Sequence, residues 1–225
     1  MQSFSLWRRV LGRWMPHSIA AVLALCAGAL PHPAWAASPT ILVVGDSLSA
    51  EYGLARGTGW VALLDQKLAA EKRSVKVVNA SISGDTTSGG LNRIGPLLKA
   101  HQPQVVVVEL GGNDALRGLP LAQTRANLAG MATAAQKAGA RVLLVGMQVP
   151  PNYGAAYAAD FAKTFTEVAK AHKTALVPFF LAGLGDVNDP GATEKWFQPD
   201  RIHPKAEAHP IMLGNVWPEL RKLLK

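Results

Sequence analysis

The sequence of 225 residues predicts an α/β fold: one three-layer α/β/α sandwich built on a central five-stranded parallel sheet. Three observations lead there. Five short runs rich in Val, Leu and Ile recur along the chain. The clearest, Val105-Val106-Val107-Val108, has no polar alternation, which suits a strand covered on both faces. The longer segments between the runs carry apolar residues at helical spacing, so strand and helix alternate as parallel crossover units require.

The strands are expected at 40–44, 75–79, 105–110, 141–147 and 175–178. Between the first two, Trp60, Leu64 and Leu68 repeat at i, i+4 and i+8; before the fifth, Tyr157, Phe161, Phe165 and Val168 form a second apolar stripe. The stretch 182–191, with its Gly, Asp and Pro, reads as a long surface loop. The last segment, 206–225, has helical period but contains Pro210 and Pro218. Pro218 falls in the interior, where a missing N–H and a ring pressed on the preceding turn predict a kink or break. In a parallel sheet of this kind the ligand site lies beyond the carboxyl ends of the strands.

Residues 1–36 stand outside that pattern. Arg8, Arg9 and Arg13 form a basic region, 19–30 is uncharged and apolar, and Ala34-Trp35-Ala36 is a small-x-small site. Together they read as a cleavable export signal, with the mature domain at 37–225 and a periplasmic or secreted location. The apolar stretch is short for a membrane span. Trp7 beside Arg8-Arg9 favours the general secretory route over the twin-arginine one. Leu25 before Cys26 is a poor lipoprotein context, so no stable membrane anchor is expected after cleavage. Processing removes the only cysteine, and stability must come from packing. It also lowers the net charge from +8 to +5, with 20 basic residues against 15 acidic ones. The cations are spread without a dense block, which argues against nucleic acid and leaves a mild attraction to anionic lipid.

The first strand delivers Gly45-Asp46-Ser47-Leu48-Ser49. A serine at that edge can act as a nucleophile, and its own N–H can face a developing oxyanion; a helix N-cap is the other use of serine there. Ser49 breaks the Gly-x-Ser-x-Gly elbow of α/β-hydrolases. After the second strand, Gly84 in 79–86 either brings backbone close to a substrate, as an oxyanion donor, or is a plain loop glycine. After the third, Gly111-Gly112-Asn113-Asp114 offers the Asn113 amide as a neutral donor, or forms an Asx turn. Asp200 and His203 are three residues apart, so that Asp200 can accept the imidazole Nδ1–H and leave Nε2 as a base toward Ser47. Alternatively His203 caps a helix before Pro204. His101, His172 and His209 have no partner at useful spacing and read as surface residues. No His or Cys cluster suggests a metal, and no phosphate-binding fingerprint suggests a nucleotide, so no cofactor is expected.

Gly45-Asp46-Ser47-Leu48, Gly84, Gly111-Gly112-Asn113-Asp114 and Asp200-x-x-His203 resemble the four blocks of the SGNH (GDSL) hydrolase family, and the likeness runs from about Ala37 to the C terminus. Residues 79–86, 108–114 and Pro151-Asn152-Tyr153-Gly154 resemble its periplasmic thioesterase I/lysophospholipase L1/arylesterase group. The resemblance implies a flavodoxin-like fold, Ser47 as nucleophile, Asp200 and His203 completing a triad, and Gly84 and Asn113 as oxyanion donors beside the Ser47 N–H. It implies hydrolysis of carboxylic esters and thioesters through an acyl-enzyme on Ser47, with small acyl esters or thioesters and lysophospholipids as the substrate classes. The chain departs from the group mainly between 180 and 199, which looks longer, and at Pro218. Beyond the fourth strand, Gln148, Val149, Pro150 and Tyr153 either line an acyl groove or belong to a structural loop stiffened by proline. Two other functions fit the same residues less completely: a carbohydrate or peptidoglycan O-acetylesterase, and an exported small-ligand binding module.

Overall fold

The computed structural model describes residues 38–149, 151–185 and 190–225. The basic and apolar N-terminal segment, Pro150 and the middle of the 182–191 loop lie outside the described residues. Residues 37–225 form a compact unit of their own.

Five strands, β1 (Thr40–Gly45), β2 (Lys76–Asn79), β3 (Val105–Glu109), β4 (Arg141–Val145) and β5 (Ala175–Val177), pair in parallel in the order β2-β1-β3-β4-β5. This is the flavodoxin-like order, and its direction reverses between β1 and β3, which opens a crevice beyond their carboxyl ends. One face carries α1 (Trp60–Ala70) and α7 (His209–Lys222); the other carries α2 (Thr87–His101), α4 (Leu121–Lys137) and α5 (Ala155–His172). Two short helices, α3 (Gly112–Leu116) and α6 (Pro190–Trp196), complete the chain.

β1 and β3 are buried throughout, as unbroken apolar runs require. The edge strands differ: β2 is only partly covered, so the expectation of burial on both faces holds for the centre of the sheet and not for its rim. Trp60, the first residue of α1, packs edge-on against Phe180 at 5.6 Å, and Phe161 meets Phe165 in the same way at 5.3 Å on the opposite face. Such rings contribute both buried area and directional contact.

Three expectations are corrected. α7 is not broken at Pro218 but runs through it to Lys222. The residue four earlier is Gly214, which has open space where a Cβ would stand. Val216 and Leu220 are fully buried on either side, and Asn215 Nδ2 donates to the Phe180 and Ala182 carbonyls, so packing outweighs one lost backbone bond. His209 is not a surface residue. It is 2% exposed, and its Nδ1 accepts the N–H of Trp60 at 2.9 Å. Sequence spacing could not show this, because the partner stands far away in the chain. The expected surface loop at 182–191 is likewise shorter, since Leu184 is buried and α6 begins at Pro190. Among the described residues no helix is long and apolar enough to cross a membrane.

Candidate active site

Ser47 follows β1 by two residues. The N–H groups of Ser49 and Ala50 both bond the Asp46 carbonyl, and that of Tyr52 bonds the Ser47 carbonyl, so the serine stands in a tight turn. α1 begins only at Trp60, and Ser47 therefore has no helix to cap. Gly45 is required here: a Cβ would come within 2.8 Å of both Glu109 Oε2 and Ser49 Oγ.

His203 reaches the serine from the other end of the chain. Its Nε2 lies 2.9 Å from Ser47 Oγ and its Nδ1 2.7 Å from Asp200 Oδ2. The other Asp200 oxygen accepts the backbone N–H groups of Ile202 and His203 at 2.9 and 3.0 Å, closing a turn that places Arg201 at φ 58°. This turn, not a helix, is what brings Asp200 and His203 together. Partial burial works against the Asp200 carboxylate, but the two N–H bonds and the His203 ring outweigh it and hold the carboxyl below its ordinary range. The loop is fixed by the Gln198 N–H to the His203 carbonyl (2.8 Å) and by an isolated bridge between Phe197 and Pro204. Tyr52 lays its ring 4.3 Å from that of His203.

The third group of residues comes from the turns after β2 and β3. Gly84 has φ +77°, the left-handed conformation that favours glycine. Its turn is held by Arg93, which pairs with Asp85 at 2.8 Å and also bonds the Ala80 and Gly45 carbonyls, and by Arg117 Nη2 on the Gly84 carbonyl at 2.8 Å. Asn113 lies in the first turn of α3 and gives one amide hydrogen to Asp46 Oδ2 at 3.0 Å, leaving the other for a substrate. Its neighbour Asp114 is buried and accepts from the N–H and hydroxyl of Thr87 and from Thr124, which pins the turn between α2 and α4. Among the described residues, the N–H groups of Ser47 and Gly84 bond nothing within the protein. The arrangement thus contains a hydroxyl bonded to an imidazole bonded to a carboxylate, with three N–H donors in the adjoining turns. That set can activate an oxygen nucleophile and bind an oxyanion.

Beneath Ser47 lies a polar cluster that sequence reasoning missed. Glu109 is fully buried; its Oε2 accepts the Ser49 hydroxyl at 2.7 Å and the Asp46 N–H at 3.4 Å, and Ser49 Oγ accepts the Trp60 indole N–H at 3.0 Å. Burial, followed by the nearby Asp46 charge, raises the Glu109 carboxyl well above its ordinary range. Burial also raises Asp46 to about 6, against bonds from Leu48 and Asn113. An acidic residue ending a run of four valines was the signal, since an unpaired charge has no place in such a strand.

Of the residues assigned to an acyl groove, Gln148 and Tyr153 are exposed and Val149 is half-buried, all beyond β4 and two strands from Ser47. Pro150 lies outside the described residues. Among the described residues no cluster of His, Cys, Asp or Glu could hold a metal ion.

Residues 43–211 match the GDSL-like Lipase/Acylhydrolase family. The chain is 53% identical over 189 residues to Esterase TesA of Pseudomonas aeruginosa, an alignment covering 84% of this chain and 91% of that one. It is 40% identical over 189 residues to Thioesterase 1/protease 1/lysophospholipase L1 of Escherichia coli strain K12, covering 84% and 86%. Among solved structures, a crystal structure of TesA superposes with a TM-score of 0.77 at 53% identity, covering 82% of this chain and 99% of that one. A match over most of the chain, joined to relatives this similar on the same fold, makes this protein an acylhydrolase and a member of the GDSL-like lipase/acylhydrolase family, the SGNH hydrolases.

Proposed function

We propose that the protein is an exported serine hydrolase of small acyl esters and thioesters, lysophospholipids included, acting through an acyl-enzyme on Ser47. The observation that carries this reading is the continuous hydrogen-bonded chain from Ser47 Oγ through His203 to Asp200. Ser47 Oγ attacks the substrate carbonyl carbon while its proton passes to His203 Nε2, and Asp200 holds the Nδ1–H of the resulting imidazolium. The carbonyl oxygen, now an oxyanion, is bound by the Ser47 and Gly84 N–H groups and the free Asn113 amide hydrogen. The intermediate collapses and the alcohol or thiol departs with the proton from Nε2. Water then gives a proton to Nε2 and attacks the acyl-serine, and the second intermediate expels Ser47 Oγ, which takes the proton back from Nε2 as the acid is released. No cofactor is drawn on.

The names of the relatives, an esterase and a thioesterase/lysophospholipase, support the two leaving-group classes. Val149 and Tyr153, with Gln148 between the strand and the loop, are assigned to the acyl side of the site. Residues 1–36 are assigned to an export signal removed near Ala36, which N-terminal sequencing of the exported protein checks.

The test is covalent labelling. A fluorophosphonate should add once, at Ser47, and the same protein should hydrolyse p-nitrophenyl esters and acyl-CoA thioesters. Ser47→Ala should keep the fold and lose both, by at least about 10⁴-fold in kcat. Labelling elsewhere, or hydrolysis that survives the substitution, overturns the assignment. A preference for acetyl over all longer chains would turn the reading toward an O-acetylesterase.

A further inference from the structure

A solitary exposed apolar side chain is ordinary on a protein surface; a set gathered in one place marks an interaction site. Among the described residues five large hydrophobic side chains are exposed: Tyr52 (50%), Ile82 (53%), Leu116 (46%), Tyr153 (37%) and Ile202 (46%). All five stand at the same edge of the molecule. Tyr52, Ile82, Leu116 and Tyr153 follow β1, β2, β3 and β4 respectively, and Ile202 lies between Asp200 and His203. Each segment that builds the site therefore contributes one exposed apolar residue, and Tyr153 adds a fifth beyond β4. The opposite edge of the sheet and the outer faces of the helices contribute none among the described residues.

Four of the five are tied to the residues around Ser47. Tyr52 packs on His203, which bonds the serine. The Ile82 N–H bonds the Gly45 carbonyl at the end of β1, two residues before Gly84. Leu116 closes the short helix that starts beside Asn113, and the Ile202 N–H bonds Asp200.

This rim carries three cations that no side-chain carboxylate neutralises among the described residues. Arg56, Arg117 and Arg201 are exposed in the same segments and form no ion pair with a carboxylate among the described residues. The acids nearby are engaged: Asp200 by His203, Asp85 by Arg93, and Glu51 by the N–H groups of Gly57 and Gly59. Residues 37–225 as a whole carry a net charge of +5.

We infer that this apolar rim with its three arginines seats the protein reversibly on an anionic phospholipid surface, with Ser47 facing the lipid. Apolar side chains that enter the interface, backed by cations that meet the headgroups, are the two parts such binding needs. Neither part is large enough for permanent anchoring, so the protein exchanges between water and surface. The consequence for substrate, which rests on the esterase reading above, is a preference for acyl esters presented in an anionic bilayer over the same esters dispersed singly.

Co-sedimentation of the 37–225 chain carrying Ser47→Ala separates binding from turnover. It should pellet with phosphatidylcholine/phosphatidylglycerol vesicles at low salt, and far less with phosphatidylcholine alone or at high salt. Arg56→Glu should cost at least about fivefold in partition coefficient. The triple variant Tyr52→Ser, Ile82→Ser, Leu116→Ser should abolish pelleting; circular dichroism checks its fold, and Arg56→Glu, on an exposed loop, tests the proposal should the triple variant be unfolded. Absence of pelleting with anionic vesicles, or equal pelleting by Arg56→Glu at low salt, overturns the inference, and the rim is then an acyl-binding or protein-docking surface. Fluorophosphonate labelling of the parent keeps the two readings apart: labelling without vesicle binding sinks only the docking proposal, and vesicle binding without labelling sinks only the esterase one.

Discussion

Asp200 and the pair Asp46 and Glu109 both support Ser47, from opposite sides of the protein surface. Asp200 sits in an exposed turn, accepts two backbone N–H groups and the His203 ring, and has its carboxyl held below the ordinary range. Asp46 and Glu109 sit beneath the serine; burial raises the first to about 6 and the second well above the carboxylate range. The same functional group is thus kept charged in one region and pushed toward neutrality in the other. The exposed carboxylate can stabilise an imidazolium because water and N–H donors sustain its charge. Burial and mutual repulsion disfavour ionising both members of the buried pair, which places the turn around Ser47 and, through Asp46, the Asn113 amide.

The comparison breaks most sharply at Asp200. Asp200→Asn should lower kcat by about 10⁴-fold, since an amide can no longer stabilise the imidazolium. Its thermal midpoint should stay within about 3 °C of the parent, because the amide oxygen still accepts both N–H groups. Full activity in this variant would remove Asp200 from the reaction.

Glu109 should behave in the reverse way, through the fold. Glu109→Ala leaves the Ser49 hydroxyl and the Asp46 N–H without an acceptor and should cost about 3 kcal/mol, whereas Glu109→Gln, shaped like the neutral acid, should match the parent at neutral pH. The pH dependence has opposite signs in the two regions. For Glu109 and Asp46, whose folded values are raised, the stabilisation is complete below 4.5 and 3.8 and is lost as pH rises, for Asp46 through about 6. For Asp200, whose folded value is lowered, it is complete above 3.8 and lost as pH falls. Denaturant titration of Glu109→Gln across pH should therefore lose part of the decline seen at high pH. A parent-like slope would mean that Glu109 is ionised in the fold.

The smallest expected effect lies at His209, which connects the two regions. Its Nδ1 accepts the Trp60 N–H, so Nε2 carries the proton of the neutral ring, and the Pro204 backbone, next to His203, favours the charged form. Burial lowers its pKa from 6.5, so the stabilisation present above that value is lost as pH falls below it. His209→Gln should cost about 1 kcal/mol and flatten that acid limb in a melting series. A limb unchanged in the variant would assign the titration to another group.

Much of this was legible in the chain. The valine run 105–108 announced a central strand, and the alternation of such runs with apolar stripes announced the layers. The turns that carry Ser47, Gly84 and Asn113 could be assigned to the carboxyl edge because each follows a strand. Their partners could not. Glu109 reads as the end of a strand until Gly45 is found opposite it in the sheet. His209 reads as a surface histidine until α7 packs against α1. Pro218 reads as a helix breaker until Gly214 and the buried flanks of α7 are seen in place.

By itself the sequence determined the sheet, its layers and the chemical types at the site, because apolar period and turn residues are local properties. Tertiary structure alone decided which carboxyl groups are shifted up and which down, and that the exposed apolar residues share one edge. Those depend on burial and on partners brought from distant parts of the chain, and no local pattern records them.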